Sequence, residues 1–187
     1  PLPWINHLHF NDIKRHVHSD GHGVRPMLYS RWGGLGNHRY YIGFSGDTYV
    51  VWTALQFQPY LTATAANVAY GWWSHDIGGH MGGATEPELY ARWVQFGALS
   101  PVLRLHSTKD PRAERRPWGY PEPYATAAMD AFRWRYRLIP YLYTMARLTS
   151  ETGLALCRPM YYEHPEVDDA YVARYQYYFG DQMIAAP

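Results

Sequence analysis

The chain has 187 residues, of which 47% are hydrophobic and 18% charged, a composition typical of a globular domain with a real core. Its formal net charge of +1 argues against nucleic-acid binding as the main task. No apolar run reaches the roughly eighteen residues of a membrane helix. The start of the sequence shows no signal peptide, and the single cysteine, Cys157, excludes an internal disulfide.

Aromatic residues are unusually frequent, at 17% of the chain with 18 Tyr and 8 Trp. One interpretation is a core and an interface rich in amphipathic rings. The other is a surface on which sugar rings stack. Composition alone favours the first interpretation, so the positions of the rings must decide.

The first half of the chain predicts short strands separated by turns and one helix. Residues 1–25 are polar, His-rich and weakly periodic, which predicts a loop with at most one helical turn. Helical spacing follows over residues 53–68. The predicted strands are 27–30, 40–44 and 68–73.

The second half begins with a well-signalled helix. Thr85 and Glu88 form a capping box with Pro87 in the first turn, and Pro101 ends the helix. A long helix over 124–151 is kinked or divided by Pro140 and ended by Gly153. The predicted strands are 102–106, 158–162 and 183–186, and residues 108–123 form a Pro-rich loop.

Strands and helices therefore alternate without a hairpin signal, which predicts a parallel α/β fold. Polar residues follow four of the strands: Arg31, Asp47, Asp76 and His106. Because the loops after parallel barrel strands form the active face, we expect these side chains to share one rim.

Two segments, 43–48 and 71–79, combine an acid with aromatic residues and glycines. Carboxylates bind sugar hydroxyls and aromatic planes bind the C–H faces of sugars, so Asp47 and Asp76 predict a carbohydrate-cleaving site. Structural alternatives exist for each group. Asp47 could be a helix N-cap, Asp76 a buried turn acid that accepts backbone N–H bonds, Arg31 an ion-pair partner and His106 a strand cap.

The order of these motifs resembles glycoside hydrolase family 31, the α-glucosidases and α-xylosidases. The matching motifs are Ser30-Arg31, Arg39-Tyr40, Gly43 to Asp47, Asp76 to Gly79, Leu103 to Ser107 and, later, Arg158 to Met160. The resemblance implies a partial (β/α)8 TIM barrel, about its C-terminal half, as a single domain over 1–187. Residues 26–187 would be βα units, and the flanking β-domains of the family would be absent.

The resemblance also implies roles for individual residues. Asp47 matches the general acid/base, and Arg104 would support the neighbouring carboxylates. The matching substrate-binding positions are Arg31, Phe44, Asp76, His80 and His106. The substrates would be α-linked gluco-oligosaccharides, and no cofactor or metal is implied.

A retaining glycosidase needs two carboxyl groups about 5 Å apart. A second carboxylate and a wall of rings are expected to raise the pKa of Asp47. The family's nucleophile lies in a Trp-x-Asp motif, which Trp4-Ile5-Asn6 imitates with an amide. We therefore expect the nucleophile upstream of Pro1 and an inactive fragment.

Two further hypotheses remain. One is a metal-dependent barrel hydrolase whose ligands are alternate residues of a strand, from the set His7, His9, His16, His18, Asp20 and His22. The other is a non-catalytic, carbohydrate-binding or self-assembling half-barrel. If the chain is only half of a barrel, its unpaired strand edges predict self-association or pairing with the missing half.

Overall fold

A computed structural model describes residues 2–19, 21, 25–84 and 86–187. The helices are α1 (Leu2–Ser19), α2 (Trp52–Thr64), α3 (Pro87–Ala98), α4 (Tyr124–Arg137), α5 (Ile139–Thr152) and α6 (Asp168–Val172). The strands are β1 (Leu28–Arg31), β2 (Tyr41–Phe44), β3 (Trp73–Ser74), β4 (Cys157–Pro159), β5 (Tyr177–Phe179) and β6 (Met183–Ala185). Short 3-10 helices cover Asn37–Tyr40, Ala65–Val68, Pro117–Gly119 and Met160–Tyr162.

The first sheet is parallel, with strand order β1-β2-β3. Single parallel bridges from Ser74 to Val102 and from Ile77 to Leu105 continue it toward the predicted strand at 102–106. The predicted α/β class is thus confirmed. The described residues form no closed barrel, and the partial barrel stays a prediction.

The predicted helices are present. α2 and the following 3-10 turn cover the segment predicted at 53–68. α3 buries Trp93 and Phe96 in the core, and Glu86 is its N-cap residue. Thr85, named for the capping box, lies outside the described residues.

The long helix predicted over 124–151 is divided, as expected from Pro140. Leu138 ends α4 and begins α5, in which Pro140 lies in the first turn, where its missing N–H costs no hydrogen bond. Gly153 ends α5 in the left-handed conformation, with φ of 78°.

One glycine in β2 is required by packing. A Cβ on Gly43 would lie 2.4 Å from the Tyr70 ring, which is a severe overlap. Tyr70 is 1% exposed and packs edge-on against Trp73 at a ring distance of 5.3 Å. The aromatic ring therefore rests directly on the β2 backbone.

The prediction of a loop over residues 1–25 is wrong for most of that segment, because Leu2–Ser19 forms α1. Asn6 explains how this polar helix is held. It is 3% exposed, and its amide donates to Ser30 Oγ and to Asn37 Oδ1, each at 2.7 Å. Asn37 in turn donates to Tyr70 Oη at 2.8 Å. These hydrogen bonds, together with the packing of Phe10 against Tyr40 and Tyr41, join the helix to the sheet.

The prediction of βα units throughout 26–187 is also wrong at its end. β4, β5 and β6 form an antiparallel sheet in which β5 and β6 are a hairpin. Arg158, matched above to the last barrel strand, belongs to this antiparallel sheet. Its guanidinium donates to the carbonyls of Ala155 and Gly180.

The main core lies between α3, α4 and the second sheet, around Trp93, Phe96, Tyr177 and Phe179. None of the helices in the described part of the chain combines the length and apolar character that a membrane crossing requires.

Candidate active site

The ends of the parallel strands gather the predicted polar residues. Arg31 is the last residue of β1, Asp47 follows β2, Asp76 follows β3, and His106 follows the bridge at Leu105. His80 lies among them, after the turn that begins at Asp76. The structure therefore brings together the groups that the sequence placed on one rim.

Asp47 forms a short ion pair with Arg31, between Oδ1 and Nη2. Its Oδ2 lies 3.8 Å from His80 Nε2, and its side chain is 33% exposed. The Arg31 hydrogen bond, helped by the charges of His80 and His106, lowers the pKa of Asp47 despite partial desolvation. The prediction of a raised pKa is wrong for this arrangement, because a guanidinium and not a second carboxylate is the nearest charge. Asp47 is also not the N-cap of α2, since Val51 has that position.

Asp76 is fully buried. Its Oδ1 accepts a short hydrogen bond from Arg104 Nη2, and its Oδ2 lies 3.5 Å from His80 Nδ1. Burial raises the pKa of Asp76, and the positive charge of Arg104 opposes that shift. The backbone N–H groups of Ile77 and Gly79 donate to the carbonyls of Arg104 and Asp76. Those two amides are thus not bonded to the Asp76 carboxylate, against the turn-acid alternative.

An aromatic wall adjoins the two acids. The rings of Tyr29 and Phe44 are stacked 5.1 Å apart at 15°. The guanidinium carbon of Arg104 lies 5.0 Å from the Tyr29 centroid and 5.1 Å from that of Phe44. Tyr29 also donates to Ser74 Oγ at 3.2 Å. Tyr29 was not predicted from the sequence. It lies two residues before Arg31, so both side chains are on the same face of β1, and the two-residue period of a strand could have identified it.

His80 and His106 form the other side of the site. Their rings lie 4.8 Å apart at 30°. The His80 backbone is fixed from both directions, since its N–H donates to Thr48 O at 2.7 Å and its carbonyl accepts from Thr108 at 3.0 Å. Partial burial lowers the pKa of His106. Because His80 lies between Asp47 and Asp76, it contacts both carboxylates.

Arg115, in the Pro-rich loop, was not predicted to contribute. Its guanidinium donates to the carbonyls of Gly78 at 3.0 Å and His106 at 2.8 Å, and makes a short bond to Gly79 O. A Cβ on Gly78, whose φ is 92°, would lie 2.6 Å from Arg115 Nε. Arg115 thus joins the loop after Asp76 to the segment carrying His106.

Among the described residues, the N-terminal histidines do not form the site proposed in the metal hypothesis. His7 and His9 lie on α1, where neighbours two positions apart point to different sides, so the assumption of strand alternation is wrong. His7 is within 3.1 Å of Tyr40 Oη, and His16 is within 3.8 Å of Asp12. The His18 side chain and residues Asp20 and His22 lie outside the described part of the chain.

A sizeable cavity lies elsewhere. It measures about 660 Å³ and is lined by residues of α2 and α3 together with Tyr175 and the C-terminal Pro187. None of the strand-end residues lines it. The candidate site is instead an open, polar rim at the carboxyl ends of the parallel strands, which is where α/β proteins bind ligands.

Fold and site together define an α/β domain with a carboxylate-lined site at its strand ends. Residues 5–145 match the glycosyl hydrolases family 31 TIM-barrel domain. The chain belongs to that family, so the resemblance seen in the sequence is confirmed.

Individual relatives agree with this membership. The chain is 30% identical over 163 residues to neutral alpha-glucosidase C of Mus musculus, covering 87% of this chain and 18% of that protein. It is 31% identical over 170 residues to an alpha-xylosidase of Saccharolobus solfataricus, covering 87% and 23%. A glucose complex of the Flavobacterium johnsoniae dextranase superposes with a TM-score of 0.85 at 27% identity, covering 97% and 24%. The chain thus spans about a fifth of the length of these curated relatives.

Proposed function

We propose that these residues form part of a retaining α-glycosidase that hydrolyses α-linked gluco-oligosaccharides by double displacement. Asp47 would protonate the leaving oxygen and later remove a proton from water. Arg31, Asp76, His80 and His106 would bind the sugar hydroxyls, and Phe44 would contact its apolar face. Membership of the family and the α-glucosidases among its relatives support this substrate class.

The observation that carries the proposal is the position of His80 between two carboxylates from different strand ends. It lies 3.8 Å from Asp47 and 3.5 Å from Asp76. Two acids, an imidazole pair and an aromatic wall at one rim provide the hydroxyl partners and the apolar face that a pyranose requires.

The ion pair with Arg31 has a chemical consequence for Asp47. It favours the ionised carboxylate, which suits the base that activates water in the second step. The first step needs the protonated acid. The like charge of an attacking carboxylate about 5 Å away would raise the pKa of Asp47 and supply that form.

The attacking carboxylate is expected from outside these residues, because none of the eight tryptophans begins a Trp-x-Asp motif. We propose that 1–187 is one partial barrel domain, inactive by itself. β1 lies at one end of the β1-β2-β3 sheet, and this supports pairing of that edge with further barrel strands or with a second copy. Sedimentation of the 187-residue chain tests the association; a monodisperse monomer counts against it.

The catalytic proposal is tested in a polypeptide that joins these residues to a segment carrying the nucleophile. Asp47→Ala is expected to reduce hydrolysis of an aryl α-glucoside with a poor leaving group by at least about a hundredfold. The loss should be smaller for an activated leaving group, which needs no proton. The matched control is Asp110→Ala, a half-buried acid paired with the exposed Arg112. Unchanged hydrolysis after Asp47→Ala refutes the assignment.

A further inference from the structure

Three side chains at the rim have the geometry of a metal site. One ligand atom from each of Asp76, His80 and His106 lies within 4.8 Å of the others. Among the described residues, these three form the cluster of His, Cys, Asp or Glu side chains close enough to share a metal ion. Around a tetrahedral zinc ion, ligand atoms are separated by about 3.3 Å. Side-chain rotations that move each atom by about an ångström close that gap.

The polar atoms that face this point are unsatisfied. Asp76 Oδ2 and His80 Nδ1 are both buried, and neither has a hydrogen-bond partner among the described residues. Their separation of 3.5 Å is too long for a good hydrogen bond between them. Buried polar atoms normally have partners, so a bound cation would supply a missing one.

The surrounding groups orient these ligands. Asp76 Oδ1 is held by Arg104, which leaves Oδ2 as the free oxygen. His80 Nε2 lies 3.8 Å from Asp47 Oδ2, so a small rotation of the ring would bring its Nε2–H within hydrogen-bond distance of that carboxylate while Nδ1 binds the ion. A ligating imidazole that donates its second N–H to a carboxylate is the usual arrangement around zinc.

We propose that Asp76, His80 and His106 bind one divalent transition-metal ion, Zn²⁺ in the first instance. Two imidazole nitrogens and one carboxylate oxygen match Zn²⁺ and related ions and do not match Ca²⁺ or Mg²⁺, which select all-oxygen sets. Arg104 and Arg31 place positive charge nearby, so the affinity is expected to be on the order of micromolar. Three protein ligands leave a fourth position for water.

The ion would occupy the position assigned above to the sugar hydroxyls. In the joined, active polypeptide, zinc should therefore compete with substrate and raise KM without lowering kcat. This consequence rests on the proposed function, whereas binding of the ion does not. Failure of zinc binding and failure of hydrolysis are consequently separate results.

The test uses the 187-residue chain and zinc chloride in isothermal titration calorimetry. Wild type should bind one ion at this site, and His80→Phe and His106→Gln should each weaken that binding at least tenfold. The control combines His9→Gln with His16→Gln, two exposed residues of α1, and should leave binding intact. Binding that survives both site variants, or is lost in the α1 control, overturns the proposal.

A wild-type measurement removes dependence on variant folding. Zinc should slow modification of His80 and His106 by diethyl pyrocarbonate, followed by mass spectrometry of the peptides. Exposed His164 is the internal reference and should react at the same rate with and without the metal. Equal protection of all three, or protection of none, contradicts the site.

Discussion

The guanidinium of Arg104 pairs with the fully buried carboxylate of Asp76 and lies over the stacked rings of Tyr29 and Phe44. The arginine thus neutralises an acid that has no access to water. It also occupies Oδ1 of Asp76, so Oδ2, buried 3.5 Å from His80 Nδ1, is the oxygen left to bind a sugar hydroxyl or an ion.

Removing that arginine is expected to destabilise the chain. Arg104→Ala leaves a buried carboxylate without its partner, at a cost of about 3 kcal/mol in the free energy of unfolding. Arg112→Ala, which breaks a surface pair with half-buried Asp110, should cost less than about 1 kcal/mol. Urea denaturation of both variants provides the measurement. Adding Asp76→Asn to Arg104→Ala should recover part of the loss, and equal costs for the two single variants would contradict this account.

The contacts of Arg115 predict that its replacement lowers stability more than replacement of its neighbour Arg116. Arg115→Lys removes the planar fork that reaches the Gly78, Gly79 and His106 carbonyls, and should cost about 2–4 kcal/mol. Arg116 pairs with Glu114 at the surface and is 67% exposed, so Arg116→Lys should be almost neutral. Thermal unfolding compares them. If both lysine variants unfold together with wild type, the loop is held by other contacts.

The amide network beneath α1 gives a third prediction. Asn37→Ala leaves the buried Asn6 amide and the Tyr70 hydroxyl with fewer partners, at an expected cost of about 2–4 kcal/mol. Asn67→Ala removes an exposed amide that donates to Tyr161 and should change stability by less than about 1 kcal/mol. Denaturant midpoints and amide exchange in α1 report the difference; full protection of α1 in the Asn37 variant would refute the coupling.

His75 predicts acid sensitivity. Its ring is fully buried against Phe96 at 4.6 Å, and both ring nitrogens lack hydrogen-bond partners among the described residues. Burial, with a contribution from Arg104, lowers the pKa of His75 from 6.5 to about 3. As the pH falls, the His75 ring therefore binds a proton in the unfolded chain at a higher pH than in the folded chain. The stability this group contributes is complete above pH 6.5 and is lost as the pH falls toward 3.

The measurement is the free energy of unfolding against pH, with EDTA present. His75→Phe keeps an aromatic ring against Phe96 and removes the titrating nitrogens. Its slope between pH 6 and 4 should be shallower than that of wild type by up to about 1.4 kcal/mol per pH unit. The exposed control, His164→Phe, should retain the wild-type slope, and an unchanged slope in His75→Phe would show that another group controls acid unfolding.

The sequence was sufficient where the structure follows from apolar period and strand-end chemistry. The periodic segments of α2, α3, α4 and α5 were predicted, as was the meeting of Arg31, Asp47, Asp76 and His106. α1 was missed because its apolar stripe is sparse: the position it buries is Asn6, and Phe10, Ile13 and Val17 are only half-buried. The antiparallel strands were misassigned because three residues are too few to show alternation.

Side-chain pairing across the site was harder to foresee. The lowered pKa of Asp47 depends on Arg31, which comes from another strand and approaches only through the parallel register. Arg115 was hidden in a Pro-rich loop, since the contacts that join it to the site are to the backbone carbonyls of Gly78, Gly79 and His106 and leave no residue-type signature. Such long-range contacts are properties of the folded chain and not of any sequence window.

The contact between Gly43 and the Tyr70 ring links one position of β2 to the hydrogen bonds that hold α1. A methyl group on Gly43 would displace the Tyr70 phenol, which would then lose the hydrogen bond donated by the Asn37 amide. Asn37 in turn accepts a hydrogen bond from Asn6 of α1. The addition of one methyl group in β2 would thus weaken the attachment of α1, a helix that Gly43 itself does not contact. Among related sequences, Gly43 is therefore expected to be kept or lost together with Asn37 and Asn6.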